Sequence, residues 1–183
     1  MAQRFRERRI ENEWALLSNA QTRQPALLEV LGRQSGPDGD SFAILLHDTS
    51  GLVEVAEQKC LVSSHAAKIR FPRFFPYVPM EAVLERPVFH PNVDPGNGFV
   101  CLWNRFAVED TVITALQQLQ KVIAWELFNQ DLRHVMQPTA VEWYRSPSRE
   151  WSVPLSYAAI LSSESPANQS TPSPPVHRCR LSQ

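Results

Sequence analysis

Apolar and polar positions alternate with two different periods along this chain. Ile10, Trp14 and Leu17 recur at i, i+4 and i+7 and form one apolar stripe among Arg4, Arg6, Glu7, Arg8, Arg9, Glu11 and Glu13. That spacing predicts an amphipathic helix over residues 3–19, with Asn19 and the later Pro25 as stop signals. From residue 26 the pattern changes to short apolar runs between turn residues. Strands are predicted at 26–33, at 41–48 (Phe42, Ile44, Leu45, Leu46), within 61–71, and at 81–85, where Ala82 and Leu84 alternate with Val83. A further short strand is placed at Leu52 to Ala56, and Ser35-Gly36-Pro37-Asp38-Gly39-Asp40 marks a turn. Short strands joined by short links make an antiparallel meander and not a βαβ sheet. Val112, Leu116, Leu119, Ile123 and Leu127, widened by Val122 and Trp125, predict a long helix over 111–128 with Asp110 as its N-cap. Pro138 opens another helix running to Tyr144, and helix is predicted to resume over about 149–160. The fold class is α+β: an N-terminal helix, a four-stranded antiparallel meander, a long central helix and C-terminal helices.

Composition narrows the picture. With 183 residues the chain can build one domain with a real core. From residue 162 onward Ser, Pro, Thr, Asn and Gln dominate, so the expected division is a folded domain at 1–161 and a flexible tail at 162–183. A net charge of -1 gives no general attraction for nucleic acid. No apolar run has the length of a membrane span and the first residues lack a signal peptide's apolar core, so a cytoplasmic protein is expected. Cys60, Cys101 and Cys179 are odd in number and widely spaced. They argue against a disulfide framework or a structural zinc site, and no metal or cofactor is expected. Arginine greatly outnumbers lysine (Lys59, Lys68 and Lys121 only), which hints at a bacterial source.

The stretch 69–102 carries the chemistry. Pro72, Pro76, Pro79, Pro87 and Pro91 each fix φ and remove a donor, so the segment is a rigid crossing between strands. Phe71, Phe74, Phe75, Tyr77 and Phe89 supply apolar area to anchor it. It ends in His90-Pro91-Asn92, and Gly98-Phe99-Val100-Cys101-Leu102 follows closely. A cysteine can carry an acyl group as a thioester, and a side-chain amide can stabilise the oxyanion when an amine attacks it. An isolated cysteine is more often a small buried residue, and only the flanking sequence reverses those odds.

Those flanks resemble the ubiquitin-conjugating enzyme family: Phe71-Pro72, the turn Phe75-Pro76-Tyr77-Val78-Pro79, His90-Pro91-Asn92, Asn97-Gly98 and Val100-Cys101-Leu102 follow its pattern. The resemblance covers roughly residues 4–150, and Gln137-Pro138-Thr139-Ala140 continues it. It implies that Cys101 is the nucleophile that accepts the C-terminal glycyl group of a ubiquitin-like protein from an activating enzyme. One thioester then replaces another, with no energy source needed on this chain. It implies that Asn92 supports the oxyanion or the adjacent loop, and that His90 and Pro91 hold the turn structurally. Asp131, in Asn129-Gln130-Asp131, is implied as the acidic residue that orients or deprotonates an incoming lysine, with His134 as a weaker alternative. Arg4, Arg6, Arg8 and Arg9 on the first helix are implied to meet the activating enzyme by electrostatic steering, and Tyr77 to lie on a partner surface.

The chain also departs from that pattern. Trp103 stands where an Asp usually follows Cys-Leu, Pro79-Met80 replaces a Pro-Pro pair, and Trp-Ser-Pro is missing. Such departures resemble a divergent bacterial branch found in antiviral operons. The implied partners are a ubiquitin-like protein, an activating enzyme and an acceptor protein, with neither nucleic acid nor membrane. The alternative is a non-catalytic ubiquitin-binding or scaffold module of the same fold. The presence of Cys101 weighs against it, since inactive relatives generally lack the cysteine. No nucleophile-elbow signature accompanies Cys101 to suggest an unrelated cysteine hydrolase.

Overall fold

A computed structural model describes residues 2–36, 39–147 and 155–161. The chain opens with helix α1 (Ala2–Arg23). Ile10, Leu17 and Ala20 of its apolar stripe are buried, and Ala20 carries that stripe past the stop expected at Asn19. Strands β1 (Leu28–Gly36) and β2 (Gly39–Leu46) form a hairpin with a bulge between Val30 and Gly32. Strands β3 (Gly51–Val55) and β4 (Gln58–Val62) form a second, separate hairpin. Then β5 (His65–Phe71), β6 (Glu81–Leu84) and the two-residue β7 (Phe99–Val100) complete a five-stranded sheet in the order β1-β2-β5-β6-β7, antiparallel throughout. The predicted four-strand meander is therefore present as β1, β2, β5 and β6, and β7 extends it at one edge. Alternation sends Phe42, Ile44 and Leu46, and likewise Ala67, Ile69 and Phe71, into the core.

The strand predicted within 61–71 is β5, and β4, which ends at Val62 just before it, is an additional strand that pairs with β3. The turn between β3 and β4 uses Ala56 and Glu57 at φ of +48° and +68°. Such a turn normally announces itself with Asn or Gly, and here it does not.

Helix α2 (Val112–Ile123) packs across the sheet and buries Val112, Leu116, Leu119 and Ile123. Its N-cap is Thr111, in a reciprocal capping box with Thr114, and not Asp110. The Asp110 carboxylate instead accepts from the Ala107 N–H at 2.7 Å, closing the preceding turn. The helix stops five residues short of the predicted end because Trp125 takes a left-handed backbone, φ +59°. Beyond that point Leu127 still packs on the main core, whereas Trp125 and Phe128 serve a second cluster, in which Leu52, Phe89, Trp125 and Ala140 are buried against Phe128, Trp143 and Tyr144. Burying each large side chain of this kind contributes about 2 kcal/mol.

A buried carboxylate joins the two long helices. Glu13 has no solvent exposure. One of its oxygens accepts from Arg9 Nε and the other from the Val112 N–H, both at 2.6 Å. It thus satisfies a free donor at the first turn of α2 and sits where that helix's dipole favours a negative charge. Arg9 Nη2 also donates to the Asp110 carbonyl at 2.8 Å.

Helix α3 (Pro138–Arg145) starts at its proline as predicted. The helix expected over 149–160 is not seen where the chain is described: 155–161 is an extended strap, with Tyr157 bridged to Thr49. Residues 148–154 and the expected tail at 162–183 lie outside the described residues. Glutamine side chains hold the strap in place of helical hydrogen bonds. Gln120, fully buried, donates to the Ala158 carbonyl at 2.8 Å and accepts from the Ile160 N–H at 3.1 Å. Gln117 donates to the Ile160 carbonyl at 2.7 Å, and Gln24 accepts from the Leu161 N–H at 2.8 Å. No helix among the described residues is long and apolar enough to cross a membrane.

Candidate active site

Cys101 is the first residue after β7, so its position follows from how that edge strand is laid down. Gly98 makes the approach possible: at φ +75° its backbone lies so close to β6 that a Cβ would fall 2.0 Å from the Leu84 carbonyl oxygen. Asp94 and Asn97 fold the preceding loop by accepting from the N–H groups of Gly96 and Phe99, each at 2.8 Å. The Cys101 N–H donates to the Asn92 carbonyl at 2.8 Å, and Asn92 Nδ2 donates back to the Cys101 carbonyl at 3.1 Å. The cysteine is half-buried and has no disulfide.

The His90-Pro91-Asn92 turn is clamped from several sides. His90 has no exposure, and its Nδ1 accepts from the Asn92 N–H at 3.0 Å. That bond puts the proton on Nε2, which has no hydrogen-bond partner among the described residues. The imidazole lies edge-on to Trp125, with ring centroids 4.7 Å apart. Burial pushes its pKa down to about 3. A neutral ring with one nitrogen committed to the Asn92 amide can hold a turn, but it is not poised to take a proton near pH 7. Gln137 Oε1 accepts from the His90 N–H at 2.8 Å, and the Met136 N–H donates to the Pro91 carbonyl at 2.9 Å. The second hairpin adds its own hold, since the Phe89 N–H donates to the Leu52 carbonyl at 2.6 Å and the Lys59 ammonium sits 4.1 Å from the centre of the Phe89 ring.

The loop after α2 is tied to the same turn. Asn92 Oδ1 accepts from the Asn129 N–H at 2.8 Å, and Asn129 Oδ1 accepts from the Asp131 N–H at 2.9 Å. Three hydrogen bonds therefore connect Cys101, Asn92, Asn129 and Asp131 in series. The Asn92 side chain spends its oxygen and one amide proton as a bracket. Its second amide proton has no partner among the described residues, and a carbonyl oxygen at the thiol would need such a donor.

Asp131 is half-buried and accepts from Arg133 Nη2 at 2.8 Å and Arg133 Nε at 3.1 Å, as well as from the Arg133 N–H at 3.1 Å. Those hydrogen bonds hold its carboxyl below the usual carboxylate range. His134 lies 3.9 Å from it.

Sequence reasoning singled out Cys101, Asn92, His90, Pro91 and Asp131, and the structure brings their segments together. It missed Asn129 as a bracket and Gln137 as a brace of the His90 turn. Asn129-Gln130-Asp131 is a turn-forming pattern that could have pointed to the first, whereas nothing in the sequence marks the second.

No protein-family model matches the chain, and no curated protein matches it in sequence. Its fold does have relatives among solved structures, each named as a "putative" ubiquitin conjugating enzyme. One, from Plasmodium yoelii, matches with a TM-score of 0.53 at 14% identity over 76% of this chain and 84% of that one. Another, from Trypanosoma cruzi, matches with a TM-score of 0.51 at 11% identity over 78% of this chain and 90% of that one. The fold is that of ubiquitin-conjugating enzymes. At these identities the likeness lies in the path of the backbone.

Within the ubiquitin-conjugating fold, two departures from the family's sequence pattern meet. The Trp103 indole N–H donates to the Met80 main-chain carbonyl at 2.8 Å, a bond that any residue at position 80 could accept. Trp103 also meets Phe106 edge-on, with centroids 5.3 Å apart.

The four arginines at the start of α1 divide into two pairs. Arg6 is committed to the fold, bonding Asp40 at 2.7 Å and the Phe71 carbonyl at 2.8 Å, and Arg9 is held by Glu13. Arg4 and Arg8 are exposed. Tyr77, 75% exposed, and Phe74, 66% exposed, line a groove of about 580 Å³ between α1 and the proline-rich turn.

Proposed function

We propose that this chain is a conjugating enzyme for a ubiquitin-like protein. Residues 1–161 form the catalytic unit. The observation that carries this reading is the two-way hydrogen bonding of Cys101 and Asn92, which holds a half-buried thiol at the sheet edge of a ubiquitin-conjugating fold.

The Cys101 thiolate attacks the thioester carbonyl of a charged activating enzyme. A new C–S bond forms, the old one breaks, and the activating enzyme's sulfur leaves as a thiolate. In the second step an acceptor amine attacks the Cys101 thioester. An amide bond forms, the Cys101 sulfur departs, and the amine's surplus proton passes to that thiolate or to solvent. Asn92 offers its uncommitted amide proton to the oxyanion while bracketing the loop that carries Asp131. His90 stays neutral and holds the turn. Asp131 orients the amine by charge: with its carboxyl held ionised by Arg133, it is a poor base.

Arg4 and Arg8, exposed on α1, and Tyr77, exposed on the proline-rich turn, supply the contacts for the activating enzyme or another partner. The arginine-rich composition and the sequence departures at Met80 and Trp103 are in keeping with a divergent bacterial branch, and with it a cytoplasmic role in an antiviral operon. A scaffold module of the same fold would have no use for the thiol.

The deciding experiment incubates the protein with ATP, an activating enzyme and a ubiquitin-like protein. A reductant-sensitive adduct is expected, and the Cys101→Ala variant should abolish it with the fold intact. An adduct that survives that substitution, or full biological activity without the thiol, would defeat the assignment.

A further inference from the structure

We infer that Arg133 is a specificity-determining residue: its guanidinium occupies the Asp131 carboxylate, so an acceptor amine must compete with it for Asp131. The inference rests on the conjugating role proposed above. Its starting point is geometry. The arginine grips both carboxylate oxygens through its side chain, at 2.8 and 3.1 Å, and one of them again through its own N–H at 3.1 Å. No other cation lies as close to this carboxylate among the described residues, since His134 approaches only to 3.9 Å. The series of hydrogen bonds through Asn129 and Asn92 holds Asp131 at a fixed remove from Cys101.

An incoming lysine therefore meets a carboxylate on which Arg133 already fills three of about four acceptor positions. It must compete with a resident cation. The arginine side chain is 83% exposed and that of Asp131 is 38% exposed, so the exchange runs in water-like surroundings. Exposed pairs of this kind hold weakly, and the exchange alters lysine binding by a factor of about two to five. Arg133 is thus a bias on acceptor choice and not a lock. It works against any nucleophile that depends on Asp131 for its position. A small uncharged nucleophile that attacks the thioester without using the carboxylate is indifferent to it.

The test loads Cys101 chemically, so that no modifier need be identified. A short peptide thioester ending in Gly-Gly acylates the protein by exchange, and peptide mapping by mass spectrometry shows that the acyl group is on Cys101 and not on Cys60 or Cys179. Discharge is then timed with free lysine and, separately, with hydroxylamine, which is uncharged at neutral pH. Arg133→Ala should raise the ratio of lysine to hydroxylamine discharge about two- to fivefold, through a lower KM for lysine. In an Asp131→Asn background the same change at Arg133 should leave the ratio where it was. An unchanged ratio in the Arg133→Ala variant, or equal acceleration of both nucleophiles, overturns the gate, because the second result means only a loosened loop. Failure of wild-type Cys101 to hold the acyl group is a different failure, and it removes the conjugating role itself.

Discussion

Asn92 and Cys101 hold each other from both directions, backbone N–H to carbonyl at 2.8 Å and side-chain amide to carbonyl at 3.1 Å. The same side chain accepts from Asn129, so a single residue fixes both the thiol and the loop opposite it. Asn92→Ala would leave the Asn129 N–H and the Cys101 carbonyl unpaired. A stability loss of about 1–3 kcal/mol is expected in denaturant unfolding. Discharge of a Cys101 thioester to an amine should slow by roughly two to three decades in single-turnover kinetics. A rate loss no larger than the stability loss can explain would make Asn92 a bracket only.

Replacing the sulfur by oxygen keeps the attachment point and changes the bond. With Cys101→Ser the adduct should form slowly as an oxyester that survives reductant and is cleaved by alkali, as read on denaturing gels. Because the main-chain bonds of residue 101 are untouched, the melting temperature should stay close to that of the parent.

His90 sets an acid limit on the fold. Its pKa lies at about 3 in the folded protein against an ordinary 6.5. Above pH 6.5 the ring is neutral in both states and contributes no pH dependence. As the pH falls from 6.5 towards 3, the unfolded chain takes up a proton that the folded one refuses, so stability is lost progressively across that window. The loss is on the order of a few kcal/mol. Burial depresses His65 as well, and it adds in the same direction. His90→Asn, which keeps an acceptor near the Asn92 N–H, should flatten the dependence of unfolding free energy on pH between 4 and 6.5 and leave the His65 share.

Glu13 joins the helices without contact with solvent. Glu13→Ala strands the Arg9 guanidinium and the Val112 N–H, at an expected cost of about 3 kcal/mol in chemical denaturation. Replacing both partners, Arg9→Met with Glu13→Leu, should recover most of that loss. Recovery would show that desolvation of the pair offsets most of its attraction.

The helical stripe of Ile10, Trp14 and Leu17 and the alternation at Ala82, Val83 and Leu84 were legible because burial on one face imposes its period directly on the sequence. The Cys101 neighbourhood was legible for a different reason, as its prolines and Gly98 are residues whose backbone limits are visible in their names. Other features left no such trace. Ala56 and Glu57 adopt left-handed backbone through the pairing of β3 with β4, and nothing in either side chain announces it. Trp125 and Leu127 continue the apolar period of α2 beyond its true end because the second core cluster takes Trp125 and the main core takes Leu127. Gln137 and Gln120 act through side-chain amides bonded to distant backbone, and that kind of role has no local sequence pattern.

The glutamine-held strap also has a consequence for how the molecule is made. Ile160 is buried in the same cluster as Ile10. The first helix therefore cannot find its full set of neighbours until almost every described residue has left the ribosome. Completion of the core is a late event in synthesis, and a nascent chain halted short of this segment would keep the flanks of both long helices wet.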